Sequence, residues 1–137
     1  MNLTFVTNPV IGGWHPDDLA VFLGGNEESL VLLSRALTHA GHTVTVHTSL
    51  RGAPYRDAVG VTWTTLDTFD PTTPRDVFVS WKCRAVWSTV PNARLNLHAS
   101  QDVEPPLPAS MDYVLTLGSH HAARLSAPQG WSVLRIG

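Results

Sequence analysis

The chain has 137 residues, of which 43% are hydrophobic and 15% charged, and its formal net charge is −2. Its single cysteine, Cys83, excludes an intramolecular disulfide and a CxxC zinc knuckle, and its nine scattered basic residues, outnumbered by eleven acidic ones, provide no basic face for nucleic acid. Residues 1–137 are therefore predicted to form one soluble, cytoplasmic domain with a buried core, no transmembrane segment and no signal peptide.

The first fifty residues predict a strand, a helix and a second strand. Residues 3–7 are short, β-branched or aromatic and precede Asn8-Pro9, which predicts a strand, and a long loop over residues 8–23 follows. Residues 26–40 carry apolar side chains at helical spacing, with Gly24-Gly25-Asn26 as a flexible start that includes Asn26 as the capping residue, and Gly41 as the helix terminator. Residues 43–48 predict the second strand and thus a βαβ unit.

The rest of the chain continues this alternation. Strands are predicted at residues 60–66, 76–81, 94–98, 113–117 and 131–135, and short helices at residues 84–88 and 120–125. The pattern predicts an α/β fold: a single Rossmann-like domain with a mainly parallel sheet and helices on both faces.

The Gly24-Gly25 pair is predicted to lie where a strand end meets the start of a helix. There the backbone can approach a ligand closely, and the first helical amides present partial positive charge to a phosphate or carboxylate. The alternative is that the pair only caps the helix. Glu27 and Glu28 favour the helix dipole but would repel an anion unless their side chains turn away. The GxGxxG and Walker motifs are absent, so a nicotinamide dinucleotide and ATP are not the favoured ligands.

These residues resemble a known family. The segment Gly24-Gly25-Asn26-Glu27-Glu28, a Leu-rich helix ending in Ala40-Gly41-His42, and Thr43-Val44-Thr45-Val46 are similar to the N-terminal half of family 4 glycosyltransferases of the GT-B fold. Shorter segments follow the family's order over most of the chain, up to Arg135-Ile136-Gly137. The resemblance implies a hexosyltransferase-type reaction, in which a sugar passes from a nucleotide-sugar to an acceptor hydroxyl, with the nucleotide-sugar as co-substrate and no other cofactor.

Three departures from the family pattern affect this interpretation. Gln101-Asp102 stands where the family often has His-Asp, and Ile136-Gly137 stands where it usually has Asn-Gly. The sequence also stops where the family's second, donor-binding domain would begin. The resemblance therefore implies that a second domain, a partner chain or a homo-oligomer completes the donor site.

The resemblance also implies roles for individual residues. Stabilisation of the departing diphosphate is assigned to the Gly24 and Gly25 amides, to His98 and to Lys82, which stands where the family often has Arg; orientation of the acceptor is assigned to Asp102 and His121. The candidate catalytic residues are His98 and Asp102, and no metal site is assigned. The candidate substrate- or phosphate-binding residues are Gly24, Gly25, Asn26, Glu27, Lys82 and His121.

Two alternatives remain open. The chain could be a non-catalytic half-domain that binds a glycan or a protein. Alternatively, His15-Pro16-Asp17-Asp18 is similar to the motif of zinc-dependent N-acetylglucosaminyl deacetylases, in which a His and an Asp bind zinc and the other Asp acts as the general base. Against this similarity, eight residues separate Thr7 from Pro16, and Leu19 stands where that family has Glu.

Overall fold

A mostly parallel β-sheet is the framework of the fold. A computed structural model describes residues 1–20, 23–83, 85–100, 111–116 and 132–135 of the chain. The strands are β1 Asn2–Thr7, β2 Thr43–Thr48, β3 Tyr55–Arg56, β4 Thr62–Thr65, β5 Arg75–Trp81, β6 Ala93–Ser100, β7 Tyr113–Thr116 and β8 Ser132–Arg135. In the described part of the chain these eight strands form one sheet in the order β3-β4-β2-β1-β5-β6-β7-β8, and every neighbouring pair is parallel except β3 with β4.

The helix α1 (Gly25–His39) connects β1 to β2, which confirms the predicted βαβ unit. The start of the helix differs from the prediction. Gly24 is the N-cap residue, no side chain caps the helix, and Asn26 lies inside the first turn. The capping role predicted for Asn26 is therefore wrong, because the extended backbone that precedes the helix ends two residues earlier.

The end of α1 is as predicted. Gly41 adopts a φ of 87°, a left-handed conformation that costs glycine little and other residues more. The amide of Gly41 donates to the carbonyl of Thr38, and the amide of His42 donates to that of Leu37. This pair of hydrogen bonds is a Schellman motif, which satisfies carbonyls that the end of the helix would otherwise leave without donors.

The two faces of the sheet pack against different layers. One face packs against Leu30 and Val31 of α1, and the other against Trp87 and Met111, which lie outside the strands and the α-helix. The α/β class and the mainly parallel sheet are thus confirmed, whereas α-helices on both faces are not found among the described residues. The helix predicted at residues 120–125 lies outside the described residues.

The region predicted as a long loop carries two ordered features. Residues Pro16–Ala20 form a short 3-10 helix, and Trp14 pairs with Leu50 in a parallel bridge. The Trp14 amide donates to the Ser49 carbonyl at 2.9 Å, and the Arg51 amide donates to the Trp14 carbonyl at 2.9 Å. These bonds hold Trp14 beside the carboxyl end of β2 as if it belonged to the sheet.

Asp57 is a polar anchor between β3 and β4. Its Oδ1 accepts hydrogen bonds from the amides of residues 59–61, and its Oδ2 accepts from Arg35 Nε at 2.9 Å and from Trp63 Nε1 at 3.2 Å. Burial raises the pKa of Asp57, but these hydrogen bonds outweigh burial and hold the pKa below its ordinary value of 3.8. Asp57 thus links Arg35 of α1 to β4, the strand next to the edge of the sheet.

No helix within the described ranges has the length and apolar character needed to cross a bilayer.

Candidate functional site

The candidate site lies at the point where the chain reverses its direction across the sheet. From β1 the chain adds β2 and β4 on one side and then returns to place β5 on the other side of β1. The carboxyl ends of β1 and β5 therefore border a crevice whose flanking connections run in opposite directions. Crevices of this kind are the usual ligand sites of open α/β sheets.

A cleft occupies this position. About 280 Å³ of empty space lies in it, a figure that includes open solvent, so the protein encloses only part of this space. The residues that line it are Thr7, Asn8, Val10, Trp14, Asn26, Glu27, Leu30, Trp81 and Lys82.

Two tryptophans that line the cleft carry hydrogen-bond donors without partners. Trp14 and Trp81 are 5% and 9% exposed, and each packs edge-on against another aromatic ring, Trp63 and Phe5 respectively. The indole Nε1 of each is buried and has no hydrogen-bond partner. Because buried indole N–H groups normally find an acceptor, Trp14 and Trp81 each carry one donor that the protein itself does not satisfy.

Lys82 follows β5 directly and lines the cleft in an unusual backbone conformation. Its φ is 58°, the only positive φ of a non-glycine residue in the described chain. Its amide donates to the Ala99 carbonyl at 3.0 Å, and its backbone forms an antiparallel bridge with Thr7. A left-handed conformation costs a residue with a Cβ about 1–2 kcal/mol, and costs of this kind are concentrated at functional sites.

The first turn of α1 forms one side of the cleft. The backbone conformation at its start does not require glycine. Gly24 has a φ of −62°, which any residue can adopt. A Cβ at Gly24 would lie 2.5 Å from Oε2 of Glu27, whereas a Cβ at Gly25 would meet nothing within 4 Å. The Glu27 carboxylate therefore folds back over the N-cap residue, where the anion predicted from the sequence would bind.

His98 is not among the residues that line the cleft, and the role near the donor phosphates that the resemblance implied stays a prediction. His98 is fully buried on the face of the sheet opposite α1, and its Nδ1 lies 3.0 Å from Oγ of Ser80. Ser80 Oγ donates its one proton to the Cys83 carbonyl, so His98 Nδ1 is the donor to Ser80. His98 thus supports the turn that carries Lys82. Of the other predicted residues, Asp102 and His121 lie outside the described residues, so their roles stay predictions.

The His15-Pro16-Asp17-Asp18 motif lies in an ion-pair cluster. Asp18 accepts two hydrogen bonds from Arg51 Nη2, at 2.8 and 2.9 Å, and Asp17 lies 3.4 Å from Arg35 Nη2. Within the ranges that the structure describes, no group of three or more His, Cys, Asp or Glu side chains could hold a metal ion. The two carboxylates face arginines, and this arrangement gives the deacetylase alternative no support.

The structure thus brings together Asn26, Glu27 and Lys82 from the predicted set and adds both tryptophans. Trp81 precedes Lys82 at the end of a central strand, and this position was a usable signal for a role in the cleft. Trp14 offered no such signal, because a single bridge to Leu50 positions it and a single bridge has no periodicity in the sequence.

No family model, curated protein or solved structure matches this chain. The proposal for its function therefore rests on its own residues and on their geometry.

Proposed function

We propose that this chain is a Rossmann-like, sugar-binding domain that provides the acceptor side of a GT-B-type glycosyltransferase. The cleft at the carboxyl ends of β1 and β5 would hold one sugar unit of the reaction. The observation that carries the proposal is that Trp14 and Trp81, whose buried indole N–H groups have no partner, line one cleft together with Lys82 and Glu27.

The chemistry of the lining suits a polyhydroxylated ligand. Sugar hydroxyls both donate and accept hydrogen bonds, so they can accept from the two indoles and from the Lys82 ammonium, and donate to carboxylate or amide oxygens. A buried donor without an acceptor costs about 1–3 kcal/mol, and a ligand oxygen opposite Trp14 or Trp81 would recover that free energy. The indole rings also offer apolar surface to the C–H groups of a sugar ring.

The topology of the sheet supports the same proposal. The strand order places β2 and β5 on opposite sides of β1, and the cleft lies where the chain reverses its direction across the sheet. The sequence resemblance to family 4 glycosyltransferases includes the start of α1, whose residues Asn26 and Glu27 line the cleft. In this proposal a second domain, a partner chain or a homo-oligomer binds the nucleotide.

A second candidate function is that of a binding module without turnover. Ile11 is fully exposed at the tip of the turn that continues from Val10 on the rim of the cleft. An apolar side chain in this position is suited to contact with a partner that covers the cleft. An assay for release of the nucleotide from UDP- and GDP-sugars separates the two functions, since only the transferase forms free nucleotide when a partner completes the site.

Calorimetry tests the sugar-binding proposal. The chain is titrated with free hexoses, UDP, GDP and their sugar conjugates. We expect binding of the sugar-containing ligands, and about tenfold weaker binding of the same ligands by Lys82→Ala, the loss of one charge-assisted hydrogen bond.

Arg94→Ala is the matched control. The side chain of Arg94 is 86% exposed. Arg94 lies at the amino end of β6, whereas Lys82 follows the carboxyl end of the parallel strand β5. Its removal deletes the same charge and should leave binding unchanged. The absence of binding by any sugar-containing ligand would overturn the proposal, and so would equal weakening by both variants.

A further inference from the structure

We infer that Glu27 makes the α1 side of the cleft selective for a neutral, hydroxyl-bearing ring and excludes a phosphate group from it. This inference rests on the proposed sugar-binding function and specifies which part of the ligand faces the helix. It departs from the interpretation drawn from the Gly24-Gly25 sequence, in which the same helix start faces phosphate.

The position of Glu27 provides the first step. Its carboxylate lies against Gly24, the N-cap residue, and Glu27 also lines the cleft. A negative side chain three residues after the N-cap is favourably placed for the helix dipole, and here it takes the place that a bound anion would need. A phosphate entering from the cleft would meet this carboxylate before it reached the helical amides.

The indole N–H donors of Trp14 and Trp81 provide a second line of support, which does not depend on the start of the helix. Trp14 and Trp81 are both at least nine-tenths buried, and their unpartnered indole N–H groups require acceptor oxygens. Glu27, in contrast, offers only acceptor oxygens and requires donors. A phosphate has acceptors for the indoles, but its negative charge is repelled by the carboxylate at neutral pH. Each hydroxyl of a sugar ring is both a hydrogen-bond donor and an acceptor. A sugar is therefore the class of ligand that can satisfy the two indole donors and the Glu27 carboxylate.

Substitution of Glu27 by Gln provides the test. Glu27→Gln keeps the shape of the side chain and removes its charge, so we expect two opposite changes in affinity. Binding of a neutral monosaccharide should weaken about three- to tenfold, because a hydrogen bond to a carboxylate is replaced by one to an amide. Binding of inorganic phosphate should strengthen at least threefold, because the repulsion is removed.

Glu28→Gln is the matched control. Glu28 lies in the same helical turn, is exposed and does not line the cleft, so the variant makes the same change of net charge. It should shift neither affinity by more than about twofold. Affinities are measured by calorimetry at low ionic strength, with thermal denaturation to confirm that each variant is folded.

The outcomes separate this inference from the proposed function. If the unmodified chain binds no sugar-containing ligand, the proposed function fails, and the inference fails with it. If a monosaccharide binds but Glu27→Gln and Glu28→Gln behave alike, only the inference fails. Stronger phosphate binding with unchanged sugar binding also overturns it, because Glu27 would then repel anions without accepting a hydrogen bond from the ligand.

Discussion

Lys82 combines an unfavourable backbone conformation with a position at the mouth of the cleft. Its φ of 58° is stabilised by the hydrogen bond from its amide to Ala99 and by the Ser80 hydroxyl, which donates to the Cys83 carbonyl on the other side of the turn. The turn places Lys82 at the carboxyl ends of β1 and β5, and a residue with a Cβ adopts this conformation only at a cost in stability.

The cost of this conformation can be measured with two variants that both remove the lysine side chain. Lys82→Gly should be about 1 kcal/mol more stable than Lys82→Ala, because only alanine retains a Cβ in the left-handed region, while glycine loses part of the gain through its more flexible unfolded state. Urea denaturation of the two variants measures the difference. Equal stabilities would mean that the turn relaxes when the side chain is removed.

Asp57 is the residue whose loss should affect stability most clearly. In Asp57→Asn the amide NH2 must face either the three main-chain amides or the Arg35 and Trp63 donors, so one set of donors loses its acceptor. We expect a loss of about 3 kcal/mol at pH 7, the lower end of the range for breaking a buried, hydrogen-bonded charge. Chemical denaturation measures the loss, with Asp67→Asn, in the 3-10 helix after β4, as the matched control.

The same aspartate gives stability a defined pH dependence. The pKa of Asp57 is lower in the folded chain than its ordinary value of 3.8, so its contribution is fully present above that value and is lost as the pH falls through the folded pKa. The stability difference between the unmodified chain and Asp57→Asn should therefore be constant near neutral pH and shrink below about pH 4. A difference that stays constant down to pH 2 would contradict the assignment.

At the scale of elements, the two ends of α1 predict opposite effects of the same substitution. Gly25→Ala should stabilise the chain by about 0.5 kcal/mol, because Gly25 is helical and a Cβ there meets nothing within 4 Å. Gly41→Ala should destabilise it by about 1 kcal/mol, because φ is 87° there although the space is open. Thermal denaturation compares the two variants, and equal shifts in Tm would contradict the helix boundaries.

Regular elements were predictable where periodicity was strong. Val44, Val46 and Thr48 alternate with less buried neighbours in β2, and this pattern was legible in the sequence. By contrast, β3 contains two residues and owes its existence to pairing with β4, and Trp14 is positioned by one bridge. Both depend on contacts between segments distant along the chain, and local patterns carry no information about them.

The candidate site was predictable in its place but not in its chemistry. Gly24 and Lys82 lie at the edge of the sheet where the cleft is found, since the carboxyl ends of the parallel strands meet there. The direction of the Glu27 side chain and the burial of His98 on the opposite face depend on tertiary packing, because strand pairing decides which residues face which layer. The sequence therefore indicated an anion site where the folded chain presents a carboxylate.

At the scale of the whole molecule, the protection of amide hydrogens from exchange should depend on the position of each strand in the sheet. The strand β1 lies between β2 and β5 and is covered on both faces, whereas β3 is a two-residue strand at an edge. Amide hydrogen exchange measured by NMR should therefore be slowest in β1 and fastest in β3. Exchange in β1 at the rate of β3 would show that the sheet does not open from its edges.

Cys83 gives the molecule a built-in reporter of motion near the cleft. It is the only cysteine of the chain, its side chain is buried, and burial raises the pKa of its thiol. A thiol reagent can therefore react only when the segment that follows Lys82 moves away from the core. The rate at which the reagent modifies Cys83 therefore measures how often that segment opens in the unmutated chain. A ligand that bridges Lys82 and Glu27 would lower this rate.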